Sequence, residues 1–211
     1  MCNMGEDMEL KKLKTKAFTL AEVLITIGIV GVIAAMTIPS LSTSVRNVER
    51  ATRLKKFYST MRQAFLLSVD DNGDPSSWNI YLSYENFYKT YFVPYLKYNQ
   101  IDNDLMSFQD GSNMKLIRYN GNCMDIVYDT NGKKMPNKEG QDQFRFLICP
   151  SNVTEWCGDV GFCTYRRNSY KGNRNKLLEC CKSNCSGNAG LSCSALIEYD
   201  GWKFSSDYPH K

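Results

Sequence analysis

The sequence predicts an α+β fold: a long N-terminal α-helix, membrane-spanning in its first half, packed on a small antiparallel β-sheet head with a disulfide-rich C-terminal loop region. An apolar run over residues 18–38 continues into a helical repeat of apolar residues that reaches about residue 69. Alternating, strand-like segments follow between residues 114 and 148, and eight cysteines lie between residues 123 and 193. The predicted segments are a basic leader (residues 1–17), an apolar helix (18–38), its amphipathic continuation (39–70) and an extracytoplasmic globular head (71–211).

Composition limits the classes of function. The 211 residues leave room for one modest domain after the leader and the apolar helix. A net charge of +4 is too small to indicate nucleic-acid binding by itself. The chain has a single histidine, His210, next to the C-terminus, which nearly removes Ser-His-Asp triads, Cys–His pairs and histidine metal sites from consideration. We therefore expect a protein that is not an enzyme.

The apolar run contains one charge, Glu22. As an α-helix, residues 18–38 would be about 31 Å long, close to the ~30 Å hydrocarbon thickness of a bilayer. A carboxylate inside such a helix costs on the order of 2.5–3.5 kcal/mol, and the run holds no lysine or arginine to pair with it. A cut between Ala17 and Phe18 would create an α-amine one helical turn from Glu22. That amine could pair with a carboxylate on a neighbouring copy.

The segment KAFTLAEVLITIGIVGVIAAMTIPSL, residues 16–41, resembles the prepilin signal of type IV pilins and type II secretion pseudopilins. The resemblance implies that prepilin peptidase cuts after Ala17 and N-methylates Phe18. It also implies that Glu22 is the assembly glutamate of the mature chain. The family prefers glycine before the cut, so Ala17 departs from its pattern. Pro39 stands where the family has a proline, which kinks or locally melts the helix.

The resemblance also implies a location and partners. Leader lysines would hold the N-terminus in the cytoplasm, with one span in the bacterial inner membrane and the head extracytoplasmic, later in a periplasmic or surface filament. The partners would be other pilin or pseudopilin subunits, prepilin peptidase/methyltransferase, the inner-membrane assembly platform and membrane lipid. Two alternatives stay open: a minor tip pilin that binds DNA or a surface, and a plain membrane-anchored extracytoplasmic protein. Either Met1 or Met8 can start the leader.

The amphipathic continuation has two faces. Its apolar stripe, expected to pack on the head, is Leu41, Val45, Val48, Ala51, Leu54, Tyr58, Met61 and Phe65. Its basic face is Arg46, Arg50, Arg53, Lys55, Lys56 and Arg62. The basic face is either solvated or salt-bridged to neighbouring subunits, or it binds lipid headgroups or DNA.

Beyond the turn at residues 70–75, the head contains an aromatic helix and then strands. The aromatic residues between 78 and 98 recur at helical spacing and predict core packing rather than a stacking platform. Segments 114–119 and 123–128 alternate around an Asn120-Gly121 hairpin turn, and residues 144–148 form a third strand. The C-terminal segment predicts a final strand, a tight turn at Asp200-Gly201 and a return.

The loop between the second and third strands, residues 129–144, resembles the D-x-N-G-x-x-x-P-N-x-x-G-x-D-x-F segment of pseudopilin heads. Asp129 and Asn131 can cap the turn, and Asp142 can close the loop by accepting backbone donors. The alternative is a calcium site that uses oxygens of the same three residues. Three neighbouring lysines oppose a dication there. We expect no other cofactor.

The eight head cysteines predict disulfides, and the paired C-x-x-C spacing of a zinc site is missing. They are Cys123, Cys149, Cys157, Cys163, Cys180, Cys181, Cys185 and Cys193. The adjacent Cys180 and Cys181 are expected to bond to different partners. Residues 165–176 form a basic–aromatic cluster, which is either a solvated loop or a contact for DNA.

Overall fold

The computed structural model describes residues 18–117, 123–158, 161–183, 185 and 189–210, without the side chains of residues 38–43. The chain divides into two compact units, Met1–Ser42 and Thr43–Lys211, which are treated separately below. The predicted leader, with Ala17 and both candidate start methionines, lies outside the described residues. The Asn120-Gly121 turn lies outside them too.

The first helix, α1, runs from Leu20 to Asn72. Its assignment continues through Pro39, whose side chain is outside the described part, so the predicted kink there stays a prediction. The helix ends where the turn signal at residues 70–75 predicts. Gly73 donates its N–H to the Val69 carbonyl at 2.9 Å and adopts a φ of +76°, a conformation that favours glycine.

The apolar stripe of α1 packs on the head from Ala51 onward. Leu54 and Met61 are completely buried, and Phe57 stacks on Tyr128 with ring centroids 3.9 Å apart. The prediction was wrong for Val45 and Val48, whose exposed fractions are 62% and 65%. The side chain of Leu41, the first residue of the predicted stripe, lies outside the described part. Helical periodicity identifies the face of a helix, but the elements that cover this face begin only near Ala51.

The head contains a six-stranded antiparallel sheet in the order β1-β2-β3-β4-β5-β6. The strands are β1 Gln100–Asp102, β2 Leu105–Ser107, β3 Asn113–Ile117, β4 Met124–Asp129, β5 Gln143–Ile148 and β6 Phe162–Thr164. The three predicted strands are therefore confirmed as β3, β4 and β5, although residues 118–119 of the first lie outside the described part. Three short strands were missed. Ile126 lies opposite both Leu116 and Phe146, and all three side chains are buried. This face of the sheet contributes to the same core as Leu54 and Met61 of α1.

Shorter helices complete the described part of the head: α2 Tyr84–Tyr91, α3 Thr154–Cys157, α4 Arg174–Lys182 and α5 Cys193–Tyr199, with a single 3₁₀ turn at Pro75–Ser77. The aromatic stretch forms α2, begun by a Ser83 side chain that accepts the Asn86 N–H. Phe87 and Tyr88 of this helix are completely buried, whereas Tyr81 of the same stretch is 84% exposed.

The predicted C-terminal strand was wrong, because residues 193–199 form the helix α5. A short apolar run fits a buried strand and a buried helix equally well by periodicity. The burial of five successive residues, 193–197, needs cover on several sides, and α4 and β5 supply it. The turn at Asp200-Gly201 is present, with Gly201 at φ +73°, but the segment after it is not a strand.

The eight head cysteines form four disulfides: Cys123–Cys149, Cys157–Cys163, Cys180–Cys185 and Cys181–Cys193. Cys180 and Cys181 bond to different partners, as predicted. The first bridge joins the residues that flank the paired strands β4 and β5. The last joins α4 to the start of α5, so it fixes the helix that sequence periodicity misassigned.

Candidate assembly surface

The N-terminal end of α1 is closed by a capping box between Thr19 and Glu22. Glu22 Oε2 accepts hydrogen bonds from the Thr19 N–H and the Thr19 hydroxyl, both at 2.9 Å. In return, the Glu22 N–H donates to Thr19 Oγ1 at 3.2 Å. The T-x-x-E spacing that signals this motif is plain in the sequence, but our prediction used Glu22 only as a pairing charge.

The capping box turns the Glu22 carboxylate back toward the start of the helix. Its Oε2 lies beside the backbone nitrogen of Thr19, one residue after Phe18. Its Oε1 accepts no hydrogen bond from any residue that the structure describes. The carboxylate therefore has a local role and a remaining oxygen for a further donor. A helix N-terminus also favours a negative charge electrostatically.

The helix surface after this cap is apolar and uncovered within its own unit. Residues 18–37 are exposed except for the half-exposed Ala34. The segment Leu20–Thr37, with a mean hydropathy of 2.2, is long and apolar enough to cross a membrane. A signal sequence can have the same length and composition.

The 129–142 loop is closed by hydrogen bonds to its acidic residues, as the sequence predicts. Asp142 accepts the N–H groups of Asn137 at 2.9 Å and Lys138 at 2.7 Å. It also accepts the Asn131 side-chain amide at 3.2 Å. Asp129 accepts the Asn131 N–H at 3.0 Å and the Gln143 amide at 3.2 Å, while burial raises the pKa of its carboxyl.

These contacts bear on the predicted calcium site. Each carboxylate oxygen of Asp129 and Asp142 already accepts at least one hydrogen bond. Asn131 Oδ1 is buried without a hydrogen-bond partner among the described residues, so it is the one oxygen of the set left for a cation. Calcium takes six to eight oxygen ligands. The residues therefore fit a hydrogen-bonded turn better than a calcium site.

Two arginines of the basic face attach α1 to the head. Arg50 donates to the Gln141 carbonyl and to Asn47 Oδ1, and its guanidinium lies 4.9 Å from the centre of the Phe204 ring. Burial lowers the pKa of Arg50. Arg53 donates to the carbonyls of Asp110 and Thr130, at 2.9 and 3.0 Å. These two cations are therefore used within the chain.

Two arginines of the basic–aromatic cluster pair with carboxylates within the chain. Arg174 forms paired hydrogen bonds with Asp200, at 2.6 and 2.7 Å, and with Asp207, at 2.8 and 2.9 Å. Its guanidinium holds the pKa of Asp207 far below its usual range. Arg167 pairs with Glu198 at 3.3 Å. Arg166 and Lys171 of the same cluster have no ion pair among the described residues, and DNA binding stays a prediction.

One further group has the composition of a metal site. Ligand atoms of Cys181, Cys193 and His210 lie within 4.8 Å of one another. The two cysteines form a disulfide, so neither offers a thiolate, and a His210 ring nitrogen, Nε2, lies 2.7 Å from the Cys181 carbonyl oxygen. With this disulfide formed, the two sulfur atoms are not thiolate ligands.

Comparison with known proteins bears on the head unit. A family model described as "Family of unknown function (DUF6613)" matches residues 40–211. The chain belongs to this family. The match includes only the last two residues of the segment that carries the prepilin resemblance, residues 16–41. Searches of curated proteins and of solved structures found no match.

Proposed function

We propose that this chain is a structural subunit of a type IV pilus-like or type II secretion filament, cut by prepilin peptidase and assembled through α1. The observation that carries the proposal is the uncovered apolar surface of the helix. Residues 18–37 have almost no cover within their unit, and Val45 and Val48 of the other unit are exposed as well. An apolar surface of this size needs lipid, other copies of the helix, or both.

The capping box supports a specific pairing step. A cut before Phe18 leaves its α-amine one residue before Thr19, whose N–H already contacts the Glu22 carboxylate. The amine of an adjacent copy approaching this end of the helix meets Oε1. An ion pair there offsets the cost of holding a carboxylate in hydrocarbon. Methylation keeps the amine cationic while adding apolar surface.

A plain membrane-anchored extracytoplasmic protein is the second candidate, and one observation favours it. The capping box gives Glu22 a purpose within a single chain, since it satisfies donors at the helix start. In that case the charge of Glu22 has no separate role.

The substitution Glu22→Gln tests whether the charge of Glu22 acts beyond the cap, because glutamine keeps the cap but removes the charge. We expect Glu22→Gln protein to insert normally, measured by carbonate extraction of membranes, and to lose nearly all sedimentable filament. Thr19→Ala is the matched control, since it weakens the cap by about 1 kcal/mol and keeps the charge. We expect it to retain most of the filament. Wild-type filament yield from Glu22→Gln would refute the pairing role of the Glu22 charge. A wild-type chain that yields no sedimentable filament would favour the plain anchor.

A further inference from the structure

We infer that each copy of this chain docks onto the next through two different surfaces of the Thr43–Lys211 unit. One is a groove with apolar walls and exposed lysines, and the other is an apolar patch with an exposed aspartate. The inference rests on the proposed function, because a filament needs contacts that repeat from copy to copy. Beyond that function, the inference names the two surfaces that form the repeating contact.

The first surface, the lysine groove, lies between α1 and the segment after α5. It has a volume of about 630 Å³ and is formed by Val48, Ala51, Lys55, Trp202, Lys203 and Phe204, among others. Its apolar part is accessible, with Val48 65% exposed. Lys55 and Lys203 at its rim are exposed, and neither has an ion pair among the described residues. None of its described lining residues is acidic.

The groove is preformed, because the aromatic side chains that form its walls pack on other residues of the same unit. Trp202 packs on Tyr58 at a centroid distance of 5.1 Å, and its backbone N–H donates to the Ile197 carbonyl at 2.7 Å. Phe204 lies between the Arg50 guanidinium and the Tyr208 ring, the latter 4.7 Å away. A preformed pocket loses little conformational entropy when it is filled. Its chemistry selects an apolar group that carries a negative charge.

The second surface, the leucine patch, lies near the C-terminal end of α1 and has that chemistry. It consists of Leu66, Leu67 and Asp70, which share a helix face because they are three and four residues apart. Leu66 is 55% exposed and Leu67 is 46% exposed. Asp70 is exposed, and no hydrogen bond or ion pair within the described part of the chain engages its carboxylate. Complementary charge and paired apolar area identify a second copy as the occupant of the groove.

One chain cannot make this contact with itself. Lys55 and Asp70 lie on one helix with fifteen residues of rise between them, about 22 Å. Between copies whose Thr43–Lys211 units are parallel, the contact displaces one copy along the axis of this part of α1 by about that distance. Each added copy then still offers an unused groove or patch. A contact between unlike surfaces produces an open series rather than a closed pair.

Zero-length carbodiimide cross-linking tests the contact directly, because it joins a lysine amine to a carboxylate that touches it. Equal amounts of ¹⁴N- and ¹⁵N-labelled full-length processed protein would be assembled in phosphatidylcholine bilayers, which carry no net charge. We expect isotopically mixed peptides that join Lys55 or Lys203 to Asp70. Assembled protein without any mixed cross-link to Asp70 would overturn the inference.

Charge exchange tests the energetics. Lys55→Glu and Asp70→Lys each place like charges in the contact, and each alone should weaken assembly about tenfold. A 1:1 mixture should recover wild-type assembly, because every contact between unlike copies is then attractive. Lys171→Glu, at an exposed lysine outside both patches, is the control and should assemble normally.

The outcomes separate this inference from the proposed function. If wild-type protein assembles and the mixture does not recover, the patches are wrong and the function stands. If Lys55→Glu changes only the binding of monomers to phosphatidylglycerol vesicles, the groove holds a lipid headgroup and the inference fails. A processed wild-type chain that stays monomeric contradicts both.

Discussion

At the scale of single residues, Asp142 shows how one carboxylate determines a loop. Its two oxygens accept three donors, from Asn131, Asn137 and Lys138. The side chain is buried, so water cannot replace these bonds without opening the loop. Each donor left unpaired by a truncation would carry its own desolvation cost.

We therefore expect Asp142→Ala to lower the free energy of unfolding by about 3 kcal/mol, measured by urea denaturation followed by circular dichroism. Asp102→Ala, at an exposed carboxylate in β1, is the control and should change it by less than about 0.5 kcal/mol. Millimolar calcium should leave the wild-type midpoint unchanged. A calcium-dependent rise that Asp142→Ala abolishes would instead establish the calcium site.

At the scale of single residues, local roles such as those of Glu22 and Asp142 can be predicted from the sequence, whereas contacts between distant segments cannot. The loop-closing role of Asp142 was predictable, because short-range acceptors in a turn act on neighbouring backbone donors. The capping role of Glu22 was equally local, because the T-x-x-E spacing indicates it. Our prediction instead assigned Glu22 a partner outside the helix. The neutralisation of Arg174 by Asp200 and Asp207 was not predictable, because it depends on how the tail folds back.

At the scale of elements, the Cys181–Cys193 disulfide joins α4 to the first residue of α5. Cys181–Cys193 closes twelve residues of chain and is completely buried, whereas Cys180–Cys185 closes five and has one half-buried end. Stabilisation by a cross-link increases with the length of chain that it closes. The two bridges begin at adjacent residues of α4, so they make a matched pair.

We expect Cys181→Ser/Cys193→Ser to lower the free energy of unfolding by about 2–4 kcal/mol, and Cys180→Ser/Cys185→Ser to lower it by less. The measurement is urea unfolding under non-reducing conditions, with mass analysis to confirm that the remaining cysteines stay paired. Equal losses from the two variants would contradict this assignment of the stabilising bridge.

The elements that sequence reasoning predicted are those with a strong local pattern. Strands β3 to β5 alternate over five or six residues, and α1 repeats over many turns. Strands β1, β2 and β6 have three residues each, too few for alternation to be recognised. Val45 and Val48 continue the apolar period of α1 but lack cover, because the extent of the head is a tertiary property.

At the scale of the whole molecule, the two units differ in how far they bury their own apolar surface. The head has its own core and four disulfides. The apolar part of α1 has almost no cover within its own unit. We propose that a membrane first meets this need and that neighbouring helices then meet it in a filament. In this proposal, transfer from the membrane to the filament requires removal of the leader, so that the Phe18 amine is free to pair.

Mass spectrometry of the N-terminus of the native protein tests this central claim most directly. The protein would be isolated from membranes and from sheared filaments of cells that contain prepilin peptidase. We predict that the filament fraction begins at an N-methylated Phe18. Filaments built from chains that retain residues 1–17 would contradict the claim, as would a chain found only as a monomer with its leader intact.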